Sequence, residues 1–176
     1  MNSNDLVDFR ADKDAFFKTQ PESPLTAQQR GLFKGLSYYE PDESLDLTVT
    51  VTPFAQPETV QIQTTTGDAQ TYRRYGEFTF AVDGESARLT IFASPHGFFL
   101  PFVDTNAGVE TYPAGRYLEP EFLSENRFRV NFNLAYNPFC AYSDAWSCPI
   151  TPPENRLKVA IRAGEKLPAG DWVAME

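Results

Sequence analysis

The sequence predicts a mainly β protein, an antiparallel barrel or a two-sheet sandwich with two short N-terminal helices. Apolar and polar residues alternate with a period of two over much of the chain after Leu45. Turn signals at residues 66–68 and 83–84 separate alternating segments. No regular helical pattern lies between successive strands, so a parallel sheet with crossover helices is not expected.

Two helices are predicted near the N-terminus. Residues 4–19 form the first, and its apolar side chains share one broad face: Leu6, Phe9, Phe16 and Phe17. Gln20 ends this helix because a residue that precedes proline avoids the helical region. Residues 26–33 form the second helix, where Thr26 and Gln29 have the spacing of a capping box.

Eight or nine short strands are predicted to follow these helices. The segments that carry the alternation are 45–51, 60–64, 70–75, 78–82, 89–91, 98–103, 128–132 and 157–161. We therefore predict a single domain over residues 1–176, with a helical N-terminal segment at 1–36 and a β domain at 45–166.

Composition and charge narrow the classes of function. The chain has 24 acidic against 15 basic residues and a net charge of −9, which argues against nucleic acid and anionic membranes as partners. The N-terminus lacks the layout of a signal peptide, and no apolar run is long enough to span a bilayer. Two cysteines are too few for a disulfide scaffold. These features predict an acidic, soluble, cytoplasmic protein.

Several motifs together resemble a known family. They are PFVDTNAGVETYPAGRYLE at 101–119, NFNLAYNPFCAY at 131–142, CPITPPENRLKVAIRAGEK at 148–166, DFRADKDAFFKTQPESPLT at 8–26 and RRYGEFTF at 73–80. The pattern resembles domain of unknown function 1684 over nearly the whole chain. The resemblance implies a soluble prokaryotic protein without an established activity. This sequence has Asn131 where the family more often has Asp, and Pro113 where it more often has Gly.

A polar loop provides one half of a candidate site. Four chemically useful side chains lie within 13 residues: Asp104, Glu110, Tyr112 and Arg116. A guanidinium beside a carboxylate suits an anionic or hydrogen-bonding ligand. The alternative is an internal salt bridge that holds the loop over the sheet.

The irregular segment at 131–156 provides the other half. Its candidate ligand-binding residues are Asn133, Tyr136 and Asn137, which offer amide and phenol groups beside aromatic side chains. The alternative role of these groups is to satisfy the backbone of a proline-rich segment. The leading hypothesis is a small-molecule-binding β domain whose polar pocket is built by the two halves.

Two further functions remain open. One is a hydrolase-like or other enzyme that uses Asp104, Glu110 or Glu154 as acid or base, with Arg116 as the anion anchor. The other is a structural or partner-binding protein, which an uncovered apolar patch or edge strand would indicate. The sequence contains no cofactor motif and gives no signal of oligomeric state.

The cysteines and the single histidine are weak candidates for a metal site. Structural zinc needs four ligands, and the nitrogen and sulfur donors here are Cys140, Cys148 and His96. The alternatives for the two cysteines are structural thiols, a disulfide or reactive cysteine chemistry. His96 is expected to face solvent in a turn.

Overall fold

A computed structural model describes residues 2–173. The helices are Ser3–Thr19 (α1) and Ala27–Leu32 (α2). The strands are Asp46–Thr50 (β1), Thr52–Pro53 (β2), Thr59–Gln63 (β3), Ala69–Val82 (β4), Glu85–Ser94 (β5), Gly97–Phe102 (β6), Arg116–Leu118 (β7), Glu121–Ser124 (β8) and Arg127–Asn131 (β9). The two predicted helices are confirmed to within about one residue at each end.

Both helices begin where side chains satisfy their free backbone N–H groups. The Asn2 amide accepts a hydrogen bond from Asp5 N at 2.9 Å, and the Asp5 carboxylate accepts one from Asn2 N at 2.9 Å. Thr26 and Gln29 form the predicted capping box of α2. Of the predicted apolar face of α1, Phe17 is buried, whereas Phe9 is 38% exposed.

The strands form two antiparallel sheets. The first has the order β1-β9-β8, and the second has the order β2-β4-β5-β6-β7 with β3 also paired to β4. Within residues 2–173 neither sheet closes into the barrel that the sequence allowed. Both sheets contribute to one core, since Phe128 and Val130 of β9 cluster with Phe80 and Leu89 of the second sheet.

Strand β4 joins two segments that the sequence separated. Residues 70–75 and 78–82 belong to one strand, and the pairing with β5 shifts register between Arg74 and Gly76. Such a bulge changes the side of the sheet that each following residue faces, which breaks the alternation. A Cβ on Gly76 would lie 2.5 Å from the Thr52 carbonyl oxygen, so this close approach of backbones requires glycine.

The predicted strand at 157–161 is wrong. Val159 and Ile161 are buried and alternate with less buried neighbours, as expected, but the segment joins no sheet. Its first part bonds to the backbone after β6: Leu157 N donates to Val103 O at 2.7 Å, and Thr105 N donates to Val159 O at 3.1 Å. At Ile161 side chains take over, since Asp104 accepts from Ile161 N and Arg116 donates to Ile161 O, both at 2.8 Å. Alternating burial therefore arose here with only part of the backbone pairing of a strand.

A second cluster joins the helices to the β domain. Phe17 of α1 and Phe33 after α2 are buried against Tyr142 and Trp172. The ring centroids of Phe17 and Tyr142 are 5.2 Å apart, and those of Phe33 and Trp172 are 5.1 Å apart.

No helix in residues 2–173 has the length and hydropathy that a bilayer span requires.

Gly115 and Gly108 provide a matched test of the loop at 104–116. Both glycines have a positive φ, which is +99° at Gly115 and +83° at Gly108. A Cβ added at Gly115 would lie 2.5 Å from Phe102 O, whereas a Cβ added at Gly108 would meet open space. We expect Gly108→Ala to cost about 1 kcal/mol of unfolding free energy for its backbone conformation. Gly115→Ala adds overpacking and should cost about 2–4 kcal/mol. Urea denaturation of both variants measures this difference, and equal costs would contradict the tight approach at Gly115.

Candidate functional site

Asp104 and Arg116 form a buried ion pair. Their exposed fractions are 4% and 1%, and Arg116 Nη2 lies 3.6 Å from Asp104 Oδ2. The other Asp104 oxygen accepts a hydrogen bond from Thr111 Oγ1 at 2.9 Å. Both carboxylate oxygens therefore already have partners inside the protein.

The Arg116 guanidinium is also engaged with the backbone. It donates to the carbonyl oxygens of Ala163, Glu165 (3.0 Å) and Ile161 (2.8 Å), and it lies 5.1 Å from the centre of the Phe102 ring. Burial lowers the pKa of Arg116, and the Asp104 charge opposes this shift. The geometry favours the internal salt bridge over an anion site, because the guanidinium has no open face for a ligand.

Glu110 and Tyr112 lie nearer the surface of the same loop. Glu110 accepts a hydrogen bond from Tyr39 Oη at 2.9 Å, and burial together with this bond raises the pKa of Tyr39 to about 12. Tyr112 Oη is 3.5 Å from Cys140 O. Tyr112 therefore brings the 104–116 loop against the 131–156 segment, as the two-half hypothesis required.

The two predicted asparagines hold backbone. Asn133 Nδ2 donates to Asp42 O at 2.7 Å, and Asn133 Oδ1 accepts from Asp42 N at 2.8 Å. Asn137 Nδ2 donates to Lys166 O at 2.9 Å. Both asparagines are buried, so the geometry favours their structural alternative.

A buried acid that the sequence did not single out lies beside Asn137. Glu165 is 1% exposed; its Oε2 accepts from Asn137 N at 2.7 Å and from Tyr142 Oη at 3.2 Å. Its Oε1 pairs with Lys13 Nζ at 2.5 Å. The sequence carried a signal for the burial of Glu165, since Glu165 continues the period-two series of buried residues that includes Val159 and Ile161.

A groove opens between α1 and the first sheet. Its volume is about 590 Å³. We call it the α1 groove, and its lining residues are Phe9, Asp12, Lys13, Phe16, Phe17, Leu118, Glu119, Pro120, Glu121, Arg129, Val130, Asn131, Leu134, Tyr136 and Phe139. Tyr136 is a predicted ligand-binding residue, and the other six predicted ones do not line this groove. The α1 groove is therefore lined in part by the 131–156 segment, but α1 and residues 118–121 line it where the 104–116 loop was expected.

The two cations of the α1 groove are already neutralised. Lys13 pairs with Glu165 and lies 4.8 Å from the centre of the Tyr136 ring. Arg129 forms a two-point contact with Asp46 at 2.8 and 2.5 Å. The carboxylates of the lining are Asp12, Glu119 and Glu121, and Tyr136 Oη donates to Glu119. The groove is thus aromatic in its walls with an excess of negative charge at its edge.

Comparison with known proteins places the chain in a family. The family model described as "Protein of unknown function (DUF1684)" matches residues 31–166. The chain belongs to the DUF1684 family. The resemblance drawn from the sequence is therefore confirmed.

A solved structure supports the same placement. The solution NMR structure of an uncharacterized protein of Haloarcula marismortui is 39% identical, covers 93% of this chain and 92% of its own, and superposes with a TM-score of 0.69. No curated protein matches this DUF1684 protein.

The carboxylates proposed as acid or base in this DUF1684 protein have partners within the chain. Asp104 pairs with Arg116, Glu110 accepts from Tyr39, and Glu154 lies 3.2 Å from Arg74 Nε. An acid–base residue needs reach to a bound substrate, and these three do not line the α1 groove. The enzyme hypothesis stays a prediction with less geometric support than ligand binding.

An exposed edge strand bears on the partner-binding hypothesis. Phe122 and Leu123 of β8 are 48% and 40% exposed at the edge of the first sheet. Phe122 nevertheless packs edge-on against Phe128, with ring centroids 5.4 Å apart. This face of the DUF1684 protein is therefore partly covered by its own sheet.

The weak metal candidates do not come together in this DUF1684 protein. Cys140 and Cys148 are adjacent free thiols, whereas His96 lies in the turn between β5 and β6. Among residues 2–173 no three His, Cys, Asp or Glu side chains are grouped so that they could hold a metal ion.

Proposed function

We propose that this DUF1684 protein binds a small molecule with an apolar body and a cationic end in the α1 groove. The observation that carries this proposal is the combination of aromatic walls with an excess of carboxylates over cations in a groove of about 590 Å³. Cavities of about 300–1,000 Å³ with mostly apolar walls and a few polar groups are typical of ligand sites. We further propose that the two sheets form a sandwich within a single domain.

The apolar part of the ligand is supported by the exposure of the groove wall. Phe9 is 38% exposed, and Phe16, Leu134 and Phe139 are only partly buried. Covering apolar surface releases about 25 cal/mol for each Å² removed from water. A ligand with an aliphatic or aromatic body would gain this free energy along the groove.

The cationic end is supported by the distribution of charge. Lys13 and Arg129 are paired with Glu165 and Asp46, so neither offers a free charge to an anion. Asp12, Glu119 and Glu121 remain along the lining, and the whole chain carries a net charge of −9. An ammonium group at this edge meets a favourable potential, whereas a carboxylate is repelled.

The charge preference is tested with decylammonium and decanoate, which have equal chain length and opposite charge. Calorimetric titration below the micelle concentration should give tighter binding of decylammonium. Glu121→Lys should weaken decylammonium binding about thirtyfold, since it removes one attractive charge and adds one repulsive charge, each contributing about 1 kcal/mol at short range. Glu85→Lys makes the same change in net charge outside the groove and should leave the affinity within about twofold. Tighter binding of decanoate would overturn the proposed charge preference.

The location is tested by filling the groove. Leu134→Trp should reduce decylammonium affinity at least tenfold because the indole occupies the volume of the ligand. Ile150→Trp adds the same indole at a site that is 42% exposed and outside the α1 groove, and it should bind as the wild type does. Thermal melts of both variants confirm that they are folded. Unchanged affinity of a folded Leu134→Trp variant would exclude the α1 groove as the binding site.

A further inference from the structure

The two cysteines of the chain lie against each other at the start of a short helical turn. Cys140 belongs to the turn Phe139–Ala141, and its backbone N–H donates to Cys148 Sγ at 3.3 Å. Neither cysteine is in a disulfide. Cys140 is partly exposed, whereas Cys148 is 6% exposed. The pair thus consists of one accessible thiol and one sheltered thiol.

The surroundings of the sheltered sulfur stabilise its anion. The Cys140 thiol and the Cys140 backbone N–H both donate toward Cys148 Sγ, and these bonds lower the pKa of Cys148 despite its burial. The same interaction raises the pKa of Cys140, so the proton of the pair stays on Cys140. The backbone N–H of Cys140, 3.3 Å from Cys148 Sγ, favours an anion on that sulfur, and we infer that Cys148 is the nucleophile of the pair.

The two sulfurs are within reach of a disulfide. The 3.3 Å contact joins Cys148 Sγ to Cys140 N, and the N–Cα bond adds about 1.5 Å. Cys148 Sγ therefore lies within about 4.8 Å of the Cys140 Cα, a separation that a change of the Cys140 rotamer converts to bonding distance. The seven intervening residues include four exposed ones at 144–147.

We propose that Cys140 and Cys148 form a dithiol that a hydroperoxide oxidises to a disulfide. The Cys148 thiolate attacks one peroxide oxygen; the S–O bond forms, the O–O bond breaks, and the leaving oxide takes a proton from solvent to give an alcohol or water. Cys140 sulfur then attacks the Cys148 sulfenic acid; the S–S bond forms and the S–O bond breaks. The departing hydroxide takes the Cys140 proton and leaves as water. The dithiol loses two electrons and the peroxide gains them.

The proposed disulfide would lie beside the α1 groove, and its formation does not depend on a ligand bound there. Phe139, next to Cys140, lines the groove, and its ring centroid is 5.0 Å from that of Trp146 in the loop that the disulfide closes. The bond would thus fix the loop that carries Trp146 against the turn that carries Phe139. The oxidation itself requires only the two cysteines, so its test is independent of ligand binding.

The reaction is followed on the full chain by intact-mass spectrometry after treatment with hydrogen peroxide. The mass of the wild type should fall by about 2 Da, and neither cysteine should then react with maleimide. Dithiothreitol should restore both the mass and the labelling. Cys140→Ser should stop at a Cys148 sulfenic acid that dimedone traps. Cys148→Ser should react at least tenfold more slowly, because the remaining Cys140 thiol lacks the stabilised anion.

Two outcomes would overturn the proposal. One is a wild-type protein that gains oxygen atoms, as sulfinic or sulfonic acid, without losing about 2 Da. The other is a Cys148→Ser variant that reacts as fast as Cys140→Ser. The wild-type mass change involves no substitution, so the proposal stays testable if either serine variant fails to fold.

Discussion

Replacing Arg116 with methionine is expected to lower the free energy of unfolding by about 3–5 kcal/mol, which is the usual cost of removing one partner of a buried ion pair. The variant leaves the Asp104 carboxylate buried without its cation. It also leaves the carbonyl oxygens of Ala163, Glu165 and Ile161 without the donor that each now has. Urea denaturation monitored by far-UV circular dichroism measures the loss.

Arg88→Met is the matched control. Arg88 is 68% exposed and lies 3.7 Å from Glu77, a geometry in which an ion pair contributes about 0–1 kcal/mol. The control should therefore stay within about 1 kcal/mol of the wild type. An Arg116→Met variant that is equally stable would contradict the structural role and return Arg116 to the list of anion-binding candidates.

Replacing Asn155 with alanine should lower the free energy of unfolding by about 3 kcal/mol or more. The substitution leaves three buried backbone groups without this partner, and an unsatisfied buried polar group costs about 1–3 kcal/mol. Asn155 is fully buried; its amide donates to Thr90 O and Pro101 O and accepts from Thr90 N, all at 2.8 Å. It thereby joins β5 and β6 at a point where they do not bond to each other.

Asn155→Asp separates hydrogen bonding from volume. A carboxylate fills nearly the same space but cannot donate to the two carbonyl oxygens, so this variant should be destabilised as well. Gln61→Ala removes an exposed amide whose hydrogen bonds within residues 2–173 go to Thr71, and it should change stability by about 0.5 kcal/mol or less. A stable Asn155→Asp variant would show that volume, rather than donation, is the role of Asn155.

The regular elements were predictable because their signals are local. The capping box of α2 and the turn at residues 83–84 each depend on neighbours in the chain, and Asp83 and Gly84 have the positive φ values of 51° and 81° that a tight hairpin requires. The sheet partners of β1 are not local, and the alternation alone did not distinguish a barrel from two sheets.

The failed strand at 157–161 shows where local signals end. Its alternation reports which side chains are buried, and this part of the prediction matches the buried positions of Val159 and Ile161. The identity of the hydrogen-bond partner is a separate question. Leu157 and Val159 bond to the backbone of residues 103–105. At Ile161 the partners are the side chains of Asp104 and Arg116, more than 40 residues away in sequence.

The candidate site was predicted in part for a related reason. The sequence predicted that the two polar segments meet, and Tyr112 Oη of the 104–116 loop lies 3.5 Å from Cys140 O of the 131–156 segment. Asn133, Asn137 and Asp104 hydrogen-bond to the backbone, because buried polar groups need partners. The missing wall was α1, where Lys13 shares a helical face with Phe9 and Phe17 at four-residue spacing, a signal available in the sequence.

Nitrogen-15 NMR titration of the wild type with decylammonium tests the α1 groove most directly. If decylammonium binds in the α1 groove, the backbone amide chemical shifts of residues 9–17, 118–121 and 134–139 should change and reach saturation. Decanoate at the same concentration should cause smaller chemical-shift changes. Shifts concentrated in the loop at 104–116, with the α1 groove unaffected, would contradict it.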